Sequence, residues 1–210
     1  MLRIFALSLV TLVLALQAPV YAQDIAPELN PDQEKGEPIL PPEEDNSVIE
    51  TNDTLDRLFE RLRTDPNNNT AQATARQIWR EWTRSDSKTI TLLMSWAARA
   101  MGHKEHAVAA DLLDRVVVLA PDYAEGWNRR ATVHFQREDY GKSLADIEST
   151  LALEPRHFGA LSGLAVIMQR IGRDKKALET WYRILEIYPA NKQAQDSVVK
   201  LEEKLAGNRI

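Results

Sequence analysis

The side chains best suited to chemistry in this sequence are donors that bind peptides rather than groups that break bonds. Asn128 and Arg129 are adjacent and both can donate hydrogen bonds to an extended peptide. The planar guanidinium of Arg129 can also hold a carboxylate through two parallel bonds. What this pair binds depends on the element that positions it.

The sequence lacks the motifs and residue spacings that catalysis or metal binding requires. The chain has no Cys, which excludes thiol catalysis, disulfides and Cys-based metal sites. The stretch "GALSG" at 159–163 has the wrong spacing for a nucleophile elbow, and the sequence contains no P-loop and no H-E-x-x-H. His103 and His106 share one turn with Glu105 as the only nearby acid, too few ligands for a metal. We expect no catalytic residue, no metal and no cofactor.

The other two histidines are also expected to have ordinary roles. His134 falls within a predicted helix, where a packing role is expected, and His157 follows Pro155 in a predicted turn.

The element that must position Asn128 and Arg129 is one of a series. Pro121, Pro155 and Pro189 are 34 residues apart, and each ends an apolar run. Proline is excluded from helix interiors, so a proline at fixed spacing marks the ends of repeated helices. We define three units, 90–123, 124–157 and 158–191, and number positions from the first residue of each.

Small and large apolar residues recur at fixed positions in these units. Ala97, Ala131 and Ala165 share position 8, and Leu113, Ile147 and Trp181 share position 24. Small residues allow two helices to cross closely, and the spacing of the large ones gives each helix one buried face. Each unit therefore predicts a helical hairpin that stacks on its neighbours.

The turns inside the hairpins also have predicted signals. Asp139 and Asp174 are expected as helix N-caps, and Gly172 as a left-handed C-cap.

The second unit, "AEGWNRRATVHFQREDYGKSLADIESTLALEPRH", resembles the tetratricopeptide repeat (TPR) family. The third unit fits the same pattern. The first unit departs from it at two places, since Lys104 replaces the usual Gly and Trp96 stands at position 7. The resemblance implies an all-α fold, a short TPR solenoid of stacked helical hairpins.

The resemblance also implies a concave groove lined by the first helix of each unit. The groove residues it predicts are Met94, Ala98, Glu125, Asn128, Arg129, Thr132, Gln136, Ser162, Val166 and Arg170. Gly159 and Gly163 are costly in a helix and indicate either room for a guest chain or close approach of neighbouring helices. The carboxylate clamp of chaperone-binding members is disfavoured, because only Arg129 stands at a matching position.

Degenerate elements flank the three units. Ala75, Trp79 and Trp82 lie 34 residues before Ala109, Leu113 and Val116, which predicts an N-terminal capping hairpin over 53–85. A closing helix is expected over 192–206, with a polar outer face.

The capping hairpin also carries an arginine stripe. Arg76, Arg80 and Arg84 are spaced four apart and form either a solvated face or a contact for an acidic segment.

The N-terminal segments indicate export. Arg3, an apolar run over 4–16 and "VYA" at 20–22 are typical of a cleaved secretory signal peptide, residues 1–22. Residues 23–50, rich in proline and acids, are expected to be a disordered linker that is either a spacer or a regulator.

Compartment and partner class follow from these features. The sequence suits the periplasm of a Gram-negative bacterium, and no membrane span is expected after signal cleavage. The chain carries a net charge of −5, but residues 51–210 hold 24 Lys and Arg against 22 Asp and Glu, which disfavours nucleic acid as a partner. We predict a non-catalytic scaffold or adaptor that binds a peptide or helix of another protein. The alternative is a homo-oligomeric structural element, with self-association through the closing helix or the capping hairpin.

Overall fold

The structure is a computed structural model that describes residues 46–207, with side chains described from residue 54 onward. That part of the chain is helical and contains nine helices. They are α1 (Asn46–Thr64), α2 (Asn68–Thr83), α3 (Lys88–Gly102), α4 (His106–Leu119), α5 (Ala124–Gln136), α6 (Tyr140–Leu153), α7 (Phe158–Arg170), α8 (Asp174–Ile187) and α9 (Lys192–Gly207).

The N-terminal expectations fall mostly outside this range. The signal peptide and linker residues 23–45 lie outside the described residues. The predicted linker ran to residue 50, but residues 46–50 belong to α1 and are helical. The buried apolar residues of α1, including Leu55 and Leu58, recur at helical spacing. The helix that they belong to begins upstream of them, at Asn46.

Three helical hairpins form the body of the solenoid, and the all-α TPR prediction is confirmed. They are α3–α4, α5–α6 and α7–α8, and each packs on the next. The small residues predicted at the crossings, among them Ala97, Ala131 and Ala165, are all buried. Apolar clusters between adjacent repeats, such as Ala131 and Ile147 with Ala160 and Ile167, join them into one stack.

The turns inside the hairpins share one backbone conformation despite different residues. Lys104 and Glu138 both have φ of 60°, and Gly172 has φ of 73°. The left-handed C-cap predicted at Gly172 is therefore present, and Lys104, which departs from the family pattern, takes the same conformation.

Of the two N-cap predictions, Asp139 is correct in its position and Asp174 is wrong. Asp139 occupies the N-cap of α6, but its side chain accepts no backbone N–H and instead lies 3.3 Å from Lys142 Nζ. Asp174 is the first residue of α8, and Arg173 holds the N-cap position. Asp174 pairs with Lys204 of α9 at 2.7 Å, so its carboxylate serves the contact between α8 and the closing helix.

The closing helix α9 covers the C-terminal end of the stack. Ala194, Val198 and Leu201 are buried against the apolar cluster that includes Trp181 and Ile184. Most other side chains of α9 are exposed and polar. This end of the solenoid is therefore sealed by a polar surface, as a repeat array requires for solubility.

The N-terminal hairpin, α1–α2, does not continue the stack as its sequence register predicted. Its aromatic side chains pack instead on the start of α7, where the Trp82 ring stacks on His157 at 3.9 Å and the Trp79 ring lies 5.7 Å from Phe158. Asp56 of α1 pairs with Arg156 at 2.6 Å. These aromatic contacts bury the hairpin's apolar face on the inner side of the array.

Candidate partner-binding groove

An open cavity of about 190 Å³ lies between α5, α6 and α7. Its walls are mostly small or apolar, and the polar atoms come from an amide and three hydroxyl groups. The lining residues are Asn128, Ala131, Thr132, Phe135, Ser143, Ile147, Gly159, Ala160, Ser162, Gly163 and Val166. Such a cavity can take an apolar side chain while the rim contacts a backbone.

Four of the predicted groove residues line this cavity, namely Asn128, Thr132, Ser162 and Val166. Val166 supplies apolar surface, and the hydroxyl groups of Thr132 and Ser162 donate to carbonyls of their own helices, at 3.0 and 2.8 Å. These two hydroxyl groups therefore already use their protons within the protein.

Two further predicted residues, Gln136 and Arg170, are exposed. The Arg170 guanidinium lies 4.8 Å from the centroid of Phe135, a cavity-lining ring, and donates to the Tyr140 hydroxyl at 2.9 Å. Arg170 therefore places a positive charge at the edge of the cavity. Gln136 lies one turn beyond Thr132 on α5.

Met94 and Ala98, predicted for the groove of the first repeat, lie on α3 and are not among the residues that line the cavity. Met94 is half-buried and packs against the cluster of Ile90, Leu93 and Val116, so it belongs to the core of its own hairpin. Ala98 is exposed.

Glu125 was predicted to face the groove, but its side chain is fully buried. Asn128 Nδ2 donates to Glu125 Oε2 at 2.8 Å, and Arg129 Nε donates to Glu125 Oε1 at 2.5 Å. A buried carboxylate needs such partners, because an unpaired charge in the interior is costly. The donors that we predicted for a peptide therefore bind a carboxylate of the protein itself.

His157 completes this buried cluster, and the sequence analysis missed it. The imidazole is fully buried and its Nδ1 accepts the backbone N–H of Ala160 at 3.1 Å, capping α7. A neutral ring with Nδ1 as acceptor carries its proton on Nε2, which lies 3.3 Å from Glu125 Oε2. The signal in the sequence was its place just before α7, where a side-chain acceptor can cap the helix.

The cluster shifts the acidity of Glu125. Burial by itself raises the pKa of this carboxyl, but the contact with His157 and the charge of Arg129 lower it by more, so the pKa lies below its ordinary value. Glu125 is therefore ionised at neutral pH in the folded protein.

We expect acid to weaken the fold through this group. A carboxyl whose pKa is lower in the folded than in the unfolded state stabilises the fold above its unfolded pKa, and the stabilisation is lost as pH falls through the folded pKa. Glu125→Gln should lower the unfolding free energy at neutral pH, and the gap to the parent should shrink below about pH 4.5, the ordinary value. Urea unfolding over a pH series measures both. The exposed Glu148→Gln is the matched control, and a gap at residue 125 that stays constant with pH would contradict the assignment.

One residue of the arginine stripe on α2 forms an ion pair with a carboxylate of the same helix. Arg76 and Arg80 are exposed, and Arg84 lies 3.3 Å from Glu81. The acidic segment predicted to contact the stripe lies mainly outside the described residues, so that contact stays a prediction.

Within residues 54–207, no group of three or more His, Asp or Glu side chains is placed to hold a metal ion. His103 is exposed after α3, and His106 is the half-buried first residue of α4. His134 is buried, 3.7 Å from Asp146. None of the helices in the described part of the chain is long and apolar enough to cross a membrane.

Comparisons with known proteins agree with this architecture. No family model matches the chain. A TPR repeat-containing protein of Rhizobium etli is 48% identical over 167 residues, which cover 80% of this chain and 82% of that protein.

Solved structures share the fold at low identity. The first TPR of Spaghetti (RPAP3) bound to HSP90 peptide SRMEEVD has a TM-score of 0.55 and 20% identity, covering 58% of this chain and 96% of that one. The TPR2B-domain:pHsp70 complex of yeast Sti1 has a TM-score of 0.52 and 15% identity, covering 56% and 99%. From the repeat geometry and the Rhizobium relative together, this chain belongs to the tetratricopeptide-repeat family, whose domains mediate protein–protein interactions.

Proposed function

We propose that the protein is a non-catalytic adaptor of the bacterial cell envelope that binds a segment of another protein between α5 and α7. The observation that carries this proposal is the open cavity of about 190 Å³ on that face. Gly163 leaves room there, because an added Cβ would meet only Ile147 Cδ1, at 3.4 Å. Gly159 instead admits Trp79, whose Cη2 would lie 2.6 Å from an added Cβ. The glycine at 163 costs about 1 kcal/mol in a helix relative to Ala, and its missing side chain keeps the cavity open.

The cavity favours a partner segment with one aliphatic side chain next to an acidic residue. The apolar walls around Val166 and Ile147 suit the aliphatic group, and the exposed guanidinium of Arg170 at the edge suits the acid. Arg129 already binds Glu125, so a clamp on a C-terminal carboxylate is not expected in this arrangement.

A structural neighbour supports the same partner class. The peptide SRMEEVD bound by the first TPR of Spaghetti (RPAP3) has a methionine followed by two glutamates. A linear segment of that kind presents a long apolar side chain beside negative charge, which matches the cavity and its rim.

The location in the envelope rests on the N-terminal sequence. Residues 1–22 have the basic start, apolar run and small-residue cleavage site of a secretory signal, and an exported protein without Cys needs no oxidant to fold. N-terminal sequencing of the protein from a periplasmic fraction tests this, since a mature chain that begins near residue 23 is required.

The test of partner binding uses a photo-crosslinking residue at Gln136, which is exposed one turn beyond Thr132. Gly163→Leu should fill the cavity and abolish the adduct, because an added Cβ meets only Ile147 Cδ1 at 3.4 Å and the larger side chain then projects into open space. Adducts are quantified by mass spectrometry in cells that express the full precursor.

The matched control is Gly141→Leu, where an added Cβ meets nothing within 4 Å. An adduct that survives Gly163→Leu unchanged would contradict binding in the cavity. An adduct of two copies of this chain would instead indicate self-association.

A further inference from the structure

One face of the first helix is exposed in the first repeat, whereas the same face is buried in the second and third repeats. At position 10, Val133 and Ile167 are fully buried against the preceding hairpin, in clusters with Leu113 and Ile147 respectively. The first repeat has the exposed Arg99 at this position. The stack therefore lacks a covering element at its N-terminal end.

Position 3 shows the same difference. At position 3, a Cβ on Gly126 would lie 2.8 Å from Val116 of the preceding helix, and Ala160 is buried. In the first repeat, Leu92 at position 3 is 47% exposed and Trp96 at position 7 is 44% exposed. This leaves two large apolar side chains at the open end, in contrast to the polar outer face of α9.

Helix α2 has the sequence of a helix that could cover this exposed face. Ala75, Trp79 and Trp82 stand 34 residues before Ala109, Leu113 and Val116, the residues with which α4 covers the next repeat. The loop from α2 to α3 spans 84–87, four residues, the same length as the loops 120–123, 154–157 and 188–191. In both sequence register and connection, α2 matches the second helix of a preceding repeat.

The backbone of that loop differs from its counterparts. The C-cap residues Ala120, Glu154 and Tyr188 have φ of −139°, −136° and −137°, with ψ of 73°, 94° and 80°. Arg84 has φ of −72° and ψ of 137°. The next residue is proline in each regular loop and Ser85 here. The backbone dihedral angles of Arg84 in this proline-free loop therefore direct α2 toward the groove and away from α3.

Aromatic and apolar contacts hold the hairpin in the groove, where its buried side chains join the cluster of α7, α8 and α9. Trp79 lies so close to Gly159 that a Cβ there would be 2.6 Å from Trp79 Cη2. Trp82 stacks on His157, and the Tyr123 hydroxyl donates to the Thr83 carbonyl at 3.0 Å.

The hairpin also has a core of its own. Leu62, Ala71 and Ile78 are fully buried where α1 and α2 pack together, so the pair can move as one body.

We propose that the α1–α2 hairpin is a movable cover with two packing positions. In the position described, it packs on His157, Phe158 and Gly159 at the start of α7 and leaves the cavity as the open part of the groove. In the second position, it stacks on Leu92 and Trp96 as an additional repeat and opens the groove along α5 and α7. This movement deepens the proposed function, but it is a property of the chain alone and is tested without a partner.

Gly159→Leu tests the proposal, because its side chain takes the space of Trp79 and disfavours the groove position. We expect hydroxyl-radical footprinting to show several-fold less oxidation of Trp96 in this variant, with the amides of α2 still protected from hydrogen exchange. Gly163→Leu is the control, because the contact of its added Cβ is with Ile147 and not with Trp79.

Three outcomes would overturn the proposal. The α2 amides lose protection while Trp96 stays reactive, which means that the hairpin unfolds. Neither readout changes, which means that Trp79 shifts locally. Light scattering shows a dimer when Trp96 is protected, which means that the open face pairs with a second copy.

A cysteine pair keeps the proposal testable if Gly159→Leu does not fold. In the regular stack, Asp114 Oδ1 and Arg130 Nη1 are 2.8 Å apart, and the residues 34 positions earlier are Arg80 and Trp96. The chain has no native Cys, so Arg80→Cys with Trp96→Cys gives a single possible intrachain pair of thiols. An Asp–Arg ion pair spans more than a disulfide does, so the pair is tested with a bifunctional thiol crosslinker of matching span. We expect crosslinking to be several-fold faster than for the pair Arg76→Cys with Trp96→Cys, and equal rates would overturn the second position.

Discussion

Trp82→Ala is expected to reduce the unfolding free energy by about 3–5 kcal/mol, the range for truncating a large buried aromatic. Trp82 is buried, stacks on His157 at 3.9 Å and contacts Phe158 with ring centroids 4.9 Å apart. Its removal leaves a cavity between the hairpin and α7 and exposes the buried cluster around Glu125 to water. Urea unfolding followed by far-UV circular dichroism measures the change.

Trp96→Ala is the matched control, because it removes the same side chain from a partly exposed site. We expect a change of about 0.5 kcal/mol or less, as for surface substitutions. Similar losses at residues 82 and 96 would show that Trp82 does not anchor the hairpin.

Arg130→Ala is expected to cost about 3 kcal/mol, at the lower end of the range for breaking a buried ion pair, because Arg130 is partly exposed. Its Nε and Nη2 donate to the two oxygens of Asp146 at 2.9 and 2.7 Å, and Nη1 donates to Asp114 of the preceding repeat at 2.8 Å. The hydrogen bond with Asp146 raises the pKa of Arg130. Without the guanidinium, the buried Asp146 carboxylate has no full partner.

A double-mutant cycle checks the cause of this loss. Adding Asp146→Leu to Arg130→Ala should recover part of the lost stability, because it removes the unpaired charge. The exposed Arg137→Ala, at the C-cap of α5, is the control for loss of an arginine without an ion pair to Asp146. Additive losses in the double variant would contradict a coupled pair.

The period of the sequence was sufficient to predict the three hairpins. Ala131 and Ser143 stand at positions that keep a small residue in every unit, and Ile147 stands at one that keeps a large apolar residue, so the repeat specifies which faces meet. The prolines define the ends of the helices for the same local reason. Features that follow from local spacing could therefore be predicted.

The place of the N-terminal hairpin could not be predicted from spacing. Ala75, Trp79 and Trp82 keep the register of a stacked helix, but the dihedral angles of Arg84 turn the hairpin to α7. A period identifies the buried face of a helix and not the surface that buries it.

For the same reason, the sequence did not predict which residues of the candidate site are buried. Glu125 does lie on α5, as the resemblance implied, but its side chain is fully buried beside His157, on which Trp82 of the N-terminal hairpin stacks. The side chains of Asn128, Thr132, Ser162 and Val166 line the open cavity. The role of His157 depends on contacts with Trp82 and Glu125, which are far from it in the sequence.

The pairing of Asp56 with Arg156 joins residues 100 positions apart, and this has a consequence for how the chain folds. In a linear array each repeat touches only its neighbours, so folding can begin anywhere and the ends can fray separately. Here the first described hairpin is tied to the third repeat, so neither can open without loss of contacts in the other. Closing so long a loop adds an entropic barrier that local helix pairing does not have. The repeats are therefore expected to form early and the hairpin to dock last, which converts a string of independent units into one cooperative folding unit.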